Sequence, residues 1–297
     1  MNVAVTGATG FLGRYLVNRL LDRGDRCRCW HRPDSDRGGF IDPNDRIEWV
    51  AGELSDRDSL GPLVDGMDAV VHSALYRPGS GFRGSEGDVE EFVEKNVLGT
   101  IALIQAAKRA GVPRFVFIST CAVHEVILDD RPLDEAHPLW ATSHYGAHKA
   151  AIEKFIHSYG LGEGYDICAL RPTGIYGVAR PIAGSKWYQL ARDVADGKSM
   201  NVDRGGKEVH AGDVAKAVRI LLGAEGTAGQ AYNCYDRYVG EYEVACLAKE
   251  ISGSDAVIDG QTRTPKHQIE TAKLRALGMD FGGESLLRKT VKQMLAE

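Results

Sequence analysis

Short apolar runs alternate, over the first two-thirds of the chain, with longer stretches in which apolar positions recur every three to four residues. The runs at 2–6, 26–30, 47–51, 69–72, 115–119 and 166–170 have the length of strands. Several are almost continuously hydrophobic, which predicts burial on both faces. The stretches between them, 12–23 and 97–110 among them, carry the helical period. Strand and helix in regular alternation predict an α/β protein with a doubly wound parallel sheet, because parallel neighbours need a crossover and that crossover is right-handed.

After Arg171 and Pro172 the rhythm changes. Residues 173–206 are loop-rich, 210–222 read as a helix and 231–235 as a further strand. From about residue 238 two or three amphipathic helices flank a polar loop at 253–264. The expected division is a large sheet domain, 1–172 and 207–236, and a small C-terminal substrate-binding lobe, 173–206 and 237–297. The lobe is expected over the carboxyl ends of the strands, where open α/β sheets take their ligands. The glycine-rich stretch 79–87 is expected to be either a flap over that site or a plain surface loop.

The first strand runs into TGATGFLG at 6–13. Gly7 permits the tight turn, Gly10 lets the backbone approach a pyrophosphate, and Gly13 lets the helix lie close to the strand. Thr9, Phe11 and Leu12 complete the loop. Strand, spacing and helix together give a Rossmann dinucleotide site, with the helix N-terminus turned to the phosphates. An NAD site usually carries an acid at the end of the second strand. Positions 30–32 carry none, and the guanidinium of Arg32, with His31 beside it, suits a 2′-phosphate. NADP is therefore expected ahead of NAD, while Asp34 and Asp36 keep NAD open. Glu53 and Leu54 should flank the adenine, and Ser73 and Ala74 the pyrophosphate and nicotinamide ribose.

A second motif, YGAHK at 145–149, sets Tyr145 and Lys149 one helical turn apart. A phenol near pKa ~10 is a weak acid-base catalyst at neutral pH, and a neighbouring ammonium favours its phenolate. The fifth strand ends in hydroxyls that can hold a substrate oxygen. Thr120 is the first choice for that role and Ser119 the second, with a satisfied turn hydroxyl as the rival reading of either.

These motifs, in order with GEL (52–54), HSA (72–74), NVLGT (96–100), ISTCAVHE (118–125), RPTGIYG (171–177), VHAGDVAKAV (209–218), QAYNCYD (230–236) and TAKLRALG (271–278), run almost end to end. The chain resembles an extended short-chain dehydrogenase/reductase, in the NAD(P)-dependent sugar epimerase/dehydratase superfamily. The resemblance implies Tyr145 as acid/base, Lys149 as its partner and Thr120 as the hydroxyl residue. It further implies Asn96 as a support of the site, with Pro172 and Ile175 bordering the nicotinamide. Departures narrow the expectation. Cys121 and Ala122 stand where 4,6-dehydratases carry an Asp-Glu pair. Residues 206–209 lack the aromatic of the nucleotide-sugar motif, and His124-Glu125 replaces Tyr-Gly. The expected activity is NAD(P)-dependent oxidoreduction of a small carbonyl, alcohol or sugar. The alternatives are an epimerase that retains its cofactor and a non-catalytic NADP-binding sensor or scaffold. Resemblance favours a homodimer through 97–110 and 145–157, with a monomer as the alternative.

Composition changes this picture little. A net charge of -5 in 297 residues gives no pull toward nucleic acid or an anionic membrane. The first residues read as a core strand rather than a signal peptide, no apolar run suits a membrane span, and a cytoplasmic protein with reduced thiols is expected. His144 and His148 lie four apart but lack a third ligand, so exposed histidines are expected there rather than a metal site. Cys121 reads as a small buried hydrophobe ahead of a proton shuttle. Asp134-Glu135 reads as a solvated face. Trp140 is a candidate pocket wall with core packing as the equal alternative, and Trp187 and Tyr188 are candidate substrate contacts.

Overall fold

The computed structural model describes residues 1–41, 43–79, 84 and 86–296, apart from the side chains at 43 and 44. Within the glycine-rich stretch 79–87, residues 80–83 and 85 lie outside the described residues. Two compact units emerge. The first comprises Met1–Pro172, Ala215–Cys234 and Glu270–Met279, and the second Thr173–Val214, Tyr235–Ile269 and Asp280–Glu297.

The first unit is built on a seven-stranded sheet. Its strands are β1 (Asn2–Thr6), β2 (Arg26–His31), β3 (Ile47–Ala51), β4 (Ala69–His72), β5 (Arg114–Ile118), β6 (Asp166–Pro172) and, after the chain has visited the second unit, β10 (Gln230–Cys234). The order is β10-β6-β5-β4-β1-β2-β3, parallel throughout. This is the doubly wound sheet expected from the apolar runs. Val3, Ala4, Val5, Val70, Val71, Phe115 and Val116 are fully buried, as strands covered by helices on both faces must be. The order reverses between β1 and β4, and ligands of such sheets bind outside the carboxyl ends at that point.

Helices Phe11–Asp22, Gly99–Arg109 and His144–His157 cover the sheet. The expected helix 97–110 enters through a π-helical turn, Glu94–Leu98, and only then becomes regular. Such turns concentrate at functional positions, and this one contains Asn96. Glu270–Met279 joins the first unit by polar anchors. Asn233 Nδ2 donates to the Glu270 carbonyl (3.2 Å), and Lys273 Nζ donates to Gln230 Oε1 (2.7 Å) and the Ala231 carbonyl (2.9 Å).

The second unit holds a three-stranded sheet, β7 (Gly174–Tyr176), β9 (Gly205–His210) and β11 (Arg237–Gly240), with β9 central. A two-stranded sheet pairs β8 (Met200–Val202) with β12 (Ile258–Gly260). β12 falls inside the stretch whose polarity reads as loop. Helices Tyr188–Ala195, Glu241–Ser252 and Gly283–Leu295 bury Ala191, Val194, Val244, Leu247, Leu287, Val291 and Met294 in a core of their own. Among the described residues no helix is long and apolar enough to cross a membrane.

Candidate active site

The turn after β1 has the geometry of a phosphate cradle. Gly7 is left-handed (φ 71°), and a Cβ there would lie 2.8 Å from the Ala74 nitrogen at the end of β4. A Cβ on Gly13 would lie 2.0 Å from the Gly7 carbonyl, so only glycine lets the helix start this close to the strand. Gly10 caps helix Phe11–Asp22 in an extended conformation, with no side chain bonding the first turn and no acid within it. N–H groups and the positive helix end are thus presented without a competing ligand, which fits a dinucleotide pyrophosphate.

His72 locks β1 to β4. Thr100 Oγ donates to the Asn96 carbonyl (2.6 Å) and so accepts from His72 Nε2 (2.8 Å). His72 Nδ1 is then an acceptor, filled by the Thr6 hydroxyl (2.6 Å), whose oxygen takes the N–H groups of Ser73 and Ala74 (3.2 Å each). Burial, with Lys149 nearby, pushes the His72 imidazole down to about 3, keeping it neutral. Ser73 Oγ donates to the Thr6 carbonyl (2.7 Å). Asn96, which is buried, brackets Tyr76. Its Oδ1 accepts from the Tyr76 nitrogen (2.8 Å) and its Nδ2 donates to the Tyr76 carbonyl (2.9 Å). Asn96 thus clamps the segment after β4.

At the end of β2 one of the two acids, Asp36, is engaged within the protein. Asp36 accepts from Arg14 Nη2 (3.1 Å) and from the Gly38 nitrogen (2.8 Å). Arg14 also donates to the Gly38 carbonyl (3.0 Å), tying this loop to the first helix. Arg32 is exposed, and its guanidinium has no hydrogen bond or ion pair among the described residues. His31 lies edge-on to Trp49 with ring centroids 6.0 Å apart. Glu53 is exposed beside Ser55, whereas Leu54 is buried in the core.

Tyr145 and Lys149 occupy helix His144–His157. Ser143 caps it by accepting from the Gly146 nitrogen (3.0 Å), Glu125 accepts from the Thr142 and Ser143 nitrogens (2.5 and 2.8 Å), and Glu86 from the Tyr145 nitrogen (3.2 Å). Tyr145 is partly exposed. Lys149 is buried, donates to the Ile118 carbonyl at the end of β5 (2.7 Å) and stands 4.5 Å from the centroid of the Phe117 ring. Burial pushes its ammonium down to about 7, against the upward pull of Glu153. Thr120 Oγ1 accepts from the Ala122 nitrogen (3.1 Å), and its own O–H meets no acceptor among the described residues. Thr120 thus retains a proton to donate.

Ser119 is differently engaged. Its hydroxyl donates to Glu153, deep under the strand end. Glu153 and Arg171 are each 1% exposed. Arg171 Nε donates to both carboxylate oxygens (3.0 Å each) and Nη2 to Oε2 (2.6 Å). Arg171 Nη1 continues to His124 Nε2 and to the Glu135 carbonyl (3.2 Å each). Burial and Arg171 push the His124 imidazole down to about 4, and its Nδ1 donates to the Pro138 carbonyl (3.2 Å). The Cys121 thiol donates to the Arg171 carbonyl (3.0 Å), and burial pushes it up to about 12, so at neutral pH it stays protonated.

Two further expectations change. His148 is buried rather than exposed, edge-on to Phe92 (5.0 Å), and burial and Lys149 push it down to about 2. Glu135 belongs to no solvated face, since its carboxylate accepts the Asn233 nitrogen (2.8 Å). Trp140 is 51% exposed, which removes its core-packing alternative. Pro172 ends β6 in the first unit, and Ile175 lies in β7 of the second, paired with Val209. Sequence reasoning missed Arg14, Glu86 and the Glu153–Arg171 pair. The available signal was an acid at 153, between Ile152 and Ile156, continuing the Tyr145–Lys149 stripe by one turn, and an arginine at the end of an apolar strand.

The profile of the NAD dependent epimerase/dehydratase family matches residues 3–234. A 3 beta-hydroxysteroid dehydrogenase/Delta 5-->4-isomerase of Mycobacterium tuberculosis is 32% identical over 184 residues, 59% of this chain and 47% of that protein. The chain spans about half the length, or less, of the first curated relatives it matches. The low-salt glycan biosynthesis protein Agl12 of Haloferax volcanii is 29% identical over 297 residues, covering 94% of this chain and 93% of that one. Among solved structures, the UDP-glucose 4-epimerase of Thermus thermophilus in complex with NAD superposes with a TM-score of 0.79, at 24% identity and 99% coverage of both chains. From the glycine turn through β10 the family match takes in most of the molecule, and the chain belongs to the NAD dependent epimerase/dehydratase family.

Proposed function

We propose that the protein is an NAD(P)-dependent oxidoreductase that interconverts a carbonyl and an alcohol on a small molecule, a sugar among the candidates. The observation that carries this reading is the Tyr145–Lys149 pair, anchored to the end of β5 through the Ile118 carbonyl, beside the β1–β4 reversal that holds the glycine cradle. A dinucleotide, when bound, would supply or accept the hydride. Gly7, Gly10 and Gly13 would admit its pyrophosphate, and the open N–H groups of the following turn would hold it. Tyr145 gives its phenolic proton to the substrate oxygen in reduction and takes it back in oxidation. Lys149, when protonated, favours the phenolate. Thr120 donates its O–H to the same oxygen. Tyr145→Phe is expected to abolish turnover against a carbonyl and sugar panel while changing NAD and NADP affinity less than about threefold. Turnover retained in that variant would overturn the assignment.

The cofactor proposed is NADP, with NAD as the alternative. Support comes from Arg32, whose guanidinium lacks a protein partner among the described residues, and from the engagement of Asp36 by Arg14. Arg32→Ala is expected to weaken NADP binding by about tenfold, as one charge-assisted contact implies, and to leave NAD binding unchanged. Titration calorimetry with both dinucleotides reads this. Equal loss for both would remove Arg32 from the 2′-phosphate site.

The epimerase alternative draws on solved neighbours that are 4-epimerases. It differs in keeping its dinucleotide through turnover, so cofactor that survives purification and does not exchange would favour it.

A further inference from the structure

The proposed chemistry uses Tyr145, Lys149 and Thr120. It leaves unused an ion pair buried directly beneath them. Glu153 lies one turn beyond Lys149, and its carboxylate takes the Ser119 hydroxyl together with three donor contacts from Arg171. Three elements meet at this carboxylate: the helix that carries Tyr145 and Lys149, the end of β5, and β6. Ser119 sits between Ile118, whose carbonyl takes the Lys149 ammonium, and Thr120. A buried Arg–Glu pair is poor evidence of stabilisation, because desolvation offsets the attraction. Its retention under a reaction site calls for another account.

Resting on the proposed roles of Tyr145 and Lys149, we propose that the Arg171–Glu153 pair is the positioning device of this site. It pins Ser119, and with it the strand end that carries Thr120 and the Ile118 carbonyl, and it sets the charge around Lys149. Among the described residues, Tyr145, His148 and Glu153 share the helix of Lys149 and His72 comes from β4, Arg171 on β6 meets Lys149 through Glu153, and the end of β5 gives the Ile118 carbonyl, with Ser119 and Thr120 following. His72 and His148 are neutral near pH 7. Glu153 is then the ionic neighbour that pulls on Lys149, Arg171 compensates that carboxylate, and removal of either leaves its partner's charge uncompensated.

Opposite shifts follow. Glu153→Gln removes a negative charge, so the Lys149 ammonium is lost at lower pH. Arg171→Gln removes a positive charge, so it is lost at higher pH. The double variant removes both and returns toward the parent. The test is NMR titration of the intact protein carrying 13Cε-labelled lysine, with Lys149→Arg identifying the resonance. Lys149 is expected to titrate near 7 in the parent. It should move about 1 unit down in Glu153→Gln and about 1 unit up in Arg171→Gln. A purely structural pair would lower the thermal midpoint and leave the titration in place, and that result in folded Glu153→Gln overturns the proposal. Glu153→Gln keeps the acceptor for Ser119 and nearly the same volume, so it decides the question even if Arg171→Gln does not fold. The titration needs no substrate. Loss of turnover in Tyr145→Phe with an unmoved Lys149 in Glu153→Gln would sink this inference alone, whereas turnover retained in Tyr145→Phe would sink the functional reading.

Discussion

Lys149 is a residue held against its own preference. Its ammonium is pushed down from 10.5 to about 7 by burial, so near neutral pH the unfolded chain binds more protons at this site than the folded one. Stability therefore rises with pH between about 7 and 10.5 and is lost as pH falls through that window, which at pH 7 amounts to roughly 3–5 kcal/mol for this one group. The hydrogen bond to the Ile118 carbonyl returns about 1 kcal/mol. The larger effect decides the sign. Lys149→Met, which fills the same space without the charge, is expected to raise the urea midpoint at pH 7 while turnover disappears. A lower midpoint in that variant would mean that the lysine stabilises the fold and that its retention needs no functional explanation.

At the scale of elements, the site depends on how a helix begins and how a loop is held. Helix His144–His157 starts with Ser143, Glu125 and Glu86 on its free N–H groups. Two carboxylates at a helix N-terminus also suit its dipole. Burial pushes the Glu125 carboxyl up, but the N–H and hydroxyl groups of Thr142 and Ser143 outweigh this and hold it below its ordinary value. The π-helical turn Glu94–Leu98 carries Asn96, which brackets Tyr76 from both sides. Asn96→Ala removes both bonds and leaves the Phe92 carbonyl without the Asn96 amide as well. It is expected to cost about 2–3 kcal/mol and to raise exchange of the Tyr76 amide more than tenfold, with protection inside Gly99–Arg109 retained. Unchanged exchange at Tyr76 would show that the loop holds itself.

For the whole molecule, the telling feature is a set of neutral imidazoles in the first unit. His72, His124 and His148 are pushed by burial to about 3, 4 and 2, below the value near 6.5 of an unfolded chain. The folded state therefore binds fewer protons than the unfolded state from about 6.5 downward. Stability is full above that pH and falls as acid is added, by about 1.4 kcal/mol per pH unit for each histidine. Three together make a steep decline between about pH 6 and 4. Urea midpoints at pH 7, 6 and 5 measure it, and a flat profile would mean that these rings are solvated or already charged.

The strand runs, the parallel doubly wound sheet, the glycine turn and the Tyr145–Lys149 stripe were all legible in the sequence. Each is a local matter, because strand and helix periods, a left-handed glycine and a four-residue helical spacing are written over a few consecutive positions. The fates of the polar groups were not. That Ser119 serves Glu153, that Asp36 answers Arg14, that His148 and His72 lie buried and neutral, and that Glu270–Met279 joins the first unit all depend on partners up to dozens of residues away. A charged or polar side chain reads the same in sequence whether it faces water or a buried counter-charge. Only packing sets the burial and the partner, and those determine its charge.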